Sequence, residues 1–289
     1  MQNSLIIMVQ IMEASLDIGN TPLVKSQELQ EQFGIKSAFI KDESKNPSGT
    51  IKDRRNLYIF QEASRLKLDK LVLITSGNNG YSLARLVKGT PIKVVCIVGR
   101  DRAASVKKEL KKVAYQVIEL NLSHKIMRPE ELIAFAREKE DEVIWEVTNG
   151  YEENYSVIID EILKDVSPDY IVVPIGSGGI YLGMIQAIER KKKKIKVIGI
   201  GVQNTNHSYA DKLSTPWTPY AKALEFYGKQ GHPIYRLSEQ EVKETYKKFQ
   251  HIIPCEPSSA VVFTDLIKPL FTKKDTVVFL NSGKSIIAE

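Results

Sequence analysis

The stretch Leu71-Val72-Leu73-Ile74-Thr75-Ser76-Gly77-Asn78-Asn79-Gly80 runs from a short apolar segment into a turn of small and polar residues, and residues 81–87 continue with helical spacing. An apolar run of this length, closed by Gly and Asn, reads as a strand; a helix directly after it makes one half of a parallel crossover unit. The succession recurs along the chain. Strands are expected at 38–41, 71–75, 93–98, 116–120, 143–147, 170–175, 196–202 and 276–280. Helices are expected at 51–66, 81–87, 102–113, 129–139, 153–164, 181–189, 239–249 and 258–268. Such alternation specifies a parallel α/β sheet, and a shift in composition around 148–152 marks where a smaller α/β unit returns to a larger one.

Bulk properties exclude several classes. The 289 residues carry 41 Lys+Arg against 35 Asp+Glu, a net charge of +6 that suits anionic small molecules. The densest basic run, Arg190-Lys191-Lys192-Lys193-Lys194, has no interleaved aromatics and reads as a solvated helix end, so no nucleic-acid partner is expected. Two cysteines, Cys96 and Cys255, give neither a disulfide framework nor metal spacing, which fits a reducing cytoplasm. The apolar segment 5–12 is too short to span a bilayer and lacks the basic start of a secretory signal; it is expected to pack on the core. No metal is expected, because His124, His207, His232 and His251 show no ligand spacing and read as surface or packing residues. Gly283-Lys284-Ser285 is no nucleotide loop, since the earlier glycine would fall at Val278.

Three places carry candidate chemistry. The turn Thr75-Ser76-Gly77-Asn78-Asn79-Gly80 offers N–H groups, hydroxyls and amides to a carboxylate at a helix start, although a plain turn accounts for it equally well. Gly176-Ser177-Gly178-Gly179 follows a strand and can cup a phosphate; Tyr181 stands where a dinucleotide motif needs its last glycine, so a monophosphate fits better. Lys52 ends Asn46-Pro47-Ser48-Gly49-Thr50-Ile51 and opens a helix with Asp53-Arg54-Arg55, a place where one amine can be held beside a bound aldehyde.

These features resemble one family, the fold-type II pyridoxal-phosphate enzymes typified by tryptophan synthase β chain, cysteine synthase and threonine synthase. The motifs occur in family order over nearly the whole chain: Gly19-Asn20-Thr21-Pro22-Leu23-Val24, Lys41-Asp42-Glu43-Ser44, the Lys52 segment, Thr75-Ser76-Gly77-Asn78, Gly176-Ser177-Gly178-Gly179, and Glu256-Pro257-Ser258-Ser259-Ala260. The resemblance implies two open α/β domains, each a three-layer αβα unit, with pyridoxal 5'-phosphate in the cleft between them. Residues 1–44 and 151–289 would form the larger, cofactor-phosphate-binding domain, and 45–150 the smaller, substrate-carboxylate-binding one. Lys52 would carry the cofactor and then act as the base at Cα. Asn78 would bond the ring hydroxyl, and Gly176, Ser177, Gly178 and Gly179 the phosphate. Thr75, Ser76, Gly77 and Asn79 would hold the substrate carboxylate, with Asn79 standing where the family more often has Thr. Ser282 would face the pyridine nitrogen as a neutral hydroxyl, with Asn281 as the alternative.

For the substrate, Lys41-Asp42-Glu43, Gly201-Val202-Gln203 and residues 255–260 look more like threonine synthase, which implies phosphohomoserine converted to threonine and phosphate. Chain length and the Asn78-Asn79-Gly80 turn look like cysteine synthase, which implies β-replacement on O-acetylserine or O-phosphoserine. Serine and threonine dehydratases and racemases share the scaffold. A homodimer is implied, with a small amino-acid substrate and no membrane partner. The rival from another class is an inactive relative that binds a metabolite or partner with the same cup.

Overall fold

A strand that is apolar at every position needs cover on both faces, and this chain provides it by alternating helices with such strands. The computed structural model describes residues 2–122 and 126–286. In chain order the first elements are α1 (Gln2–Asp17), β1 (Leu23–Lys25), α2 (Gln27–Phe33), β2 (Ser37–Asp42), α3 (Lys52–Arg65), β3 (Lys70–Ile74), α4 (Asn78–Leu86), β4 (Lys93–Gly99), α5 (Ala104–Val113) and β5 (Gln116–Leu120). There follow α6 (Pro129–Ala136), β6 (Ile144–Glu146), α7 (Val157–Asp165), β7 (Tyr170–Pro174), α8 (Gly179–Arg190), β8 (Lys196–Val202), α9 (Ala221–Lys229), β9 (Ile234–Leu237), α10 (Glu239–Phe249), α11 (Pro257–Ala260) and β10 (Thr276–Asn281).

The chain divides into two compact units, Met1–Gly19 with Asn46–Gly150 and Ser285–Glu289, and Asn20–Lys45 with Tyr151–Lys284. Residues 1–19, expected with the larger unit, group with the smaller one: α1 lies along α3, and Gln10 Nε2 donates to the Lys88 carbonyl at 2.7 Å. The smaller unit holds a sheet of order β5-β4-β3-β6, parallel throughout. Leu71, Val72 and Leu73 of β3 are fully buried, each worth about 1.5–3 kcal/mol of apolar transfer. On the α4 side a Cβ at Gly80 would stand 2.7 Å from Cys96 Sγ, so glycine lets α4 settle on β4.

The larger unit holds a sheet of order β1-β2-β10-β7-β8-β9, in which only the β1–β2 pair is antiparallel. Its core joins Leu29 and Phe33 of α2 to Ile40, Val172, Ile198 and Phe279 of the sheet and Val242 and Phe249 of α10. A buried ion pair braces β2: Lys41 Nζ meets Glu161 Oε2 at 2.6 Å, while Glu161 Oε1 accepts the Asn20 N–H at 2.9 Å.

One further expectation needs correction. The helix expected over 258–268 breaks into α11 and 3-10 turns at Val261–Phe263 and Asp265–Leu270, because Thr264 takes an extended ψ of 137° and its side chain caps Leu266 N–H. The segment 5–12, expected to pack on the core, is part of α1, which lies along α3 with one side turned out, Met8 and Met12 being 62% and 65% exposed. Arg190–Lys194 does lie at an exposed helix end. His232 packs inside, its ring Nδ1 accepting the Val197 N–H at 2.9 Å, whereas His124 lies outside the described residues. Among the described residues no helix is long and apolar enough to cross a membrane.

Candidate active site

Open α/β sheets bind ligands beyond the carboxyl ends of strands, at the point where the order of strands reverses. In the smaller unit that point is β3, with β4 and β5 on one side and β6 on the other. In the larger unit it is β7, with β8 and β9 on one side and β10 on the other. The Thr75 turn follows β3 and the Gly176 turn follows β7.

The smaller unit brings its expected residues together. Lys52 and Asn78 are the first residues of α3 and α4, helices that pack on each other. Asn56, one turn along from Lys52, donates through Nδ2 to the Asn79 carbonyl at 3.0 Å and to Ser82 Oγ at 2.9 Å, locking the two helix starts in register. Asp53 is buried, accepts the Ser48 N–H at 2.7 Å and so fixes the loop ahead of Lys52; burial raises its carboxyl above the ordinary value. Arg55 donates to the carbonyls of Val147 and Thr148 at 2.6 and 3.1 Å, tying α3 to the end of β6.

Within the turn, Gly77 has φ 137° and no side chain to cap α4. Thr75 supplies the cap instead, its Oγ1 accepting the N–H groups of Gly77 and Gly80, both at 3.0 Å. A hydroxyl has two lone pairs and one proton, so Thr75 is left with the capacity of a donor. Ser76 is half-buried and Asn78 is buried. Asn79 Oδ1 is buried with no hydrogen-bond partner among the described residues, a polar atom left over by the fold.

The larger unit builds its cup from backbone. Gly178 caps α8 with φ 104°, and no side chain caps the helix, so its N-terminal N–H groups and positive dipole end are suited to an anion. The segment 212–224 packs behind the loop. A Cβ at Gly178 would come within 2.8 Å of the Leu224 side chain, and one at Gly176 within 3.1 Å of the Lys212 carbonyl oxygen. Thr218 Oγ1 donates to the Ser177 carbonyl at 2.5 Å. At Gly179 an added Cβ would meet nothing closer than 3.6 Å, so packing does not demand glycine there, while a group approaching the helix start would.

β10 runs parallel beside β7, paired from Val277 with Tyr170 to Phe279 with Val172, and Asn281 ends the strand. Asn281 is fully buried, with Nδ2 given to Asp42 Oδ1 at 2.8 Å and the Pro254 carbonyl at 3.1 Å. Ser282, just beyond the strand, is half-buried. The residues 256–260 acquire a role that the sequence did not assign: Ser258 Oγ accepts the Lys212 N–H at 3.0 Å, and Ser259 Oγ lies 2.8 Å from Ser282 Oγ. Pro257 at the first helical position marks α11 in the sequence, but nothing there reveals what its serines hold.

A family model described as pyridoxal-phosphate dependent enzyme matches residues 14–283. The chain belongs to this family. Each unit carries donors that fit the family's cofactor: in the smaller, an amine at a helix start; in the larger, an uncapped glycine helix start for a phosphate and a half-buried hydroxyl just beyond β10. Among curated relatives, the cysteine synthase of Helicobacter pylori is 25% identical over 194 residues, covering 63% of this chain and 64% of that protein. The threonine synthase of Methanosarcina acetivorans is 28% identical over 190 residues, covering 63% and 45%. The matched stretch thus spans less than two thirds of either relative. Among solved structures, a hydrogen sulfide-producing enzyme from Fusobacterium nucleatum superposes with a TM-score of 0.79 at 20% identity, covering 94% of this chain and 97% of that one. That likeness establishes the two-domain α/β fold of the tryptophan synthase β type.

Proposed function

We propose that the protein is a pyridoxal-phosphate-dependent lyase or synthase acting on an amino acid with a leaving group at Cβ, of the O-acetylserine or O-phosphoserine kind. Bound pyridoxal 5'-phosphate supplies the electron sink for bonds at Cα. Lys52 Nζ carries the cofactor and then takes the Cα proton. The Thr75 hydroxyl proton, Ser76, Gly77 and Asn79 receive the substrate carboxylate, and Asn78 meets the ring hydroxyl. Gly176 to Gly179 receive the phosphate on backbone N–H groups, and Ser282 meets the ring nitrogen. Asn281 is fully buried, with its Nδ2 given to Asp42 and the Pro254 carbonyl, while the Ser282 hydroxyl is only half-buried, and this difference in access supports Ser282 over Asn281 for that place.

The observation that carries the reading is Thr75. Both of its lone pairs cap α4, which leaves one proton to donate at the start of a helix locked to the helix of Lys52. A second reading is γ-chemistry on phosphohomoserine, giving threonine and phosphate. Of the three stretches behind it, Lys41-Asp42-Glu43 serves the fold of the larger unit, since Lys41 is spent on Glu161 and Glu43 accepts the Thr21 hydroxyl at 2.6 Å. β-Chemistry therefore ranks first.

The test is to offer the cofactor-loaded protein O-acetylserine, O-phosphoserine, phosphohomoserine, serine and threonine separately and to assay acetate, phosphate, keto acid and threonine. Leaving-group release from the first two, lost in Lys52→Ala, is expected. Threonine and phosphate from phosphohomoserine alone would replace this reading with the second. No turnover of any of them, with cofactor bound, would favour a binding protein. We also propose a homodimer in the cytoplasm, for which the exposed Met8, Met12 and Leu16 of α1 offer an apolar surface; sedimentation at the monomer mass would overturn the dimer.

A further inference from the structure

Three oxygens stand in line at the end of β10. Ser259 Oγ is 2.8 Å from Ser282 Oγ and 2.9 Å from the carbonyl oxygen of Gly283. Oxygens this close need a proton between them. The carbonyl brings none and each hydroxyl brings one, so the two contacts consume both protons. Only one assignment satisfies both: Ser282 donates to Ser259, and Ser259 donates to Gly283. The reverse would leave Ser259 and Gly283 facing each other lone pair to lone pair. Ser259 is fully buried, so water does not relieve that arrangement, and the Glu256 N–H at 3.2 Å holds the same carbonyl in place. Ser282 therefore presents lone pairs, and no proton, to whatever stands in front of it.

We propose that Ser259 is a positioning residue that makes Ser282 a hydrogen-bond acceptor, so that a cofactor ring nitrogen meeting Ser282 is favoured in its protonated form. The inference rests on the assignment of Ser282 to the ring nitrogen made above. It reverses the role expected for a neutral hydroxyl there: a protonated nitrogen withdraws electrons from Cα more strongly than a bare one. The titratable groups around this corner are Asp42, bonded to Asn281, Cys255, whose thiol burial pushes up to about 12, Glu256, and the exposed Lys284. All four are common to the variants compared below, so a difference among those variants is not theirs.

The experiment loads the full chain with pyridoxal 5'-phosphate carrying 15N in the ring and follows the 15N resonance against pH; it moves upfield on protonation. In wild type the upfield form is expected to persist to higher pH than in Ser259→Ala, where the Ser282 hydroxyl is free to turn and donate. Ser259→Thr keeps a hydroxyl and is expected to titrate like wild type. If Ser282→Ala shifts the titration and Ser259→Ala does not, the relay is wrong and the Ser282 assignment stands. If neither shifts it, the assignment of Ser282 fails, and the relay with it. If Ser259→Thr shifts it as far as Ser259→Ala, packing rather than the proton is responsible and the inference falls.

Discussion

The starts of α4 and α8 invite comparison, because the same backbone device is used twice with opposite furnishing. Each follows the strand where its sheet reverses order, and each opens on a glycine at positive φ, 137° at Gly77 and 104° at Gly178. The α4 turn is furnished with side chains, from Thr75 to Asn79. The α8 turn offers almost none, and segment 212–224 is packed so tightly behind it that Gly176 and Gly178 have little room for more. A turn of bare N–H groups reads only the charge and size of an anion, whereas a turn of hydroxyls and amides can be altered one group at a time. Variation in substrate belongs in the first, and constancy in the second.

The sharpest way to break this contrast is to remove a side chain from each half. Lys52→Ala should lower turnover by ~10²–10⁴-fold in initial-rate assays, and Ser177→Ala should leave it within a few-fold. An equal loss at Ser177 would show that the cup works through side chains. Next in size is the pair of glycine substitutions. Gly178→Ala puts a Cβ 2.8 Å from Leu224 at φ 104°, and should cost about 1–3 kcal/mol in urea unfolding. Gly179→Ala has no such clash and should unfold like wild type, yet bind cofactor about tenfold more weakly, because the added Cβ hinders an anion's close approach to the N–H groups at the helix start.

Of similar size is Thr75→Val, which strips the acceptor from two N–H groups and should cost about 1–3 kcal/mol as well as raising KM; Thr75→Ser should restore both. The smallest effect sits at the other end of the same strand. Lys70 is fully buried and pairs with Glu142 at 2.8 Å and Glu138 at 3.0 Å. Hydrogen bonding from Lys70 pulls the Glu142 carboxyl down from 4.5 to about 2, and lowers Glu138 also. Carboxyls lowered in the folded state give stability that is present above their ordinary value of 4.5 and lost as the pH falls below it. Denaturation between pH 5 and pH 2 should steepen accordingly, and Glu142→Gln should flatten that limb.

The sequence made β3 and β7 legible because strands buried on both faces keep an unbroken apolar run, and Gly with Asn or Ser closes each. β1 and β9 escaped notice, at three and four residues, because they are edge strands too short for a pattern. α1 escaped because residues 2–17 show neither a capping signal nor one consistent apolar face, and Met8, Met12 and Leu16 point outward. The choice between Asn281 and Ser282 turns on which of two neighbours ends the strand, a matter of burial that no motif records. The serine relay was beyond reach altogether: residues 23 positions apart meet only after β10 and α11 are in place.

α11 has a further consequence. Its adjacent serines hold different things: Ser258 grips Lys212, whose carbonyl abuts Gly176, and Ser259 grips Ser282. On the proposed assignment, the distance between the phosphate seat and the ring-nitrogen seat would be gauged by a single four-residue helix. Anyone transplanting this site into another scaffold would have to carry residues 256–260 along, although none of them need touch the ligand. Without that gauge both seats could survive intact and still be set for a molecule of the wrong length.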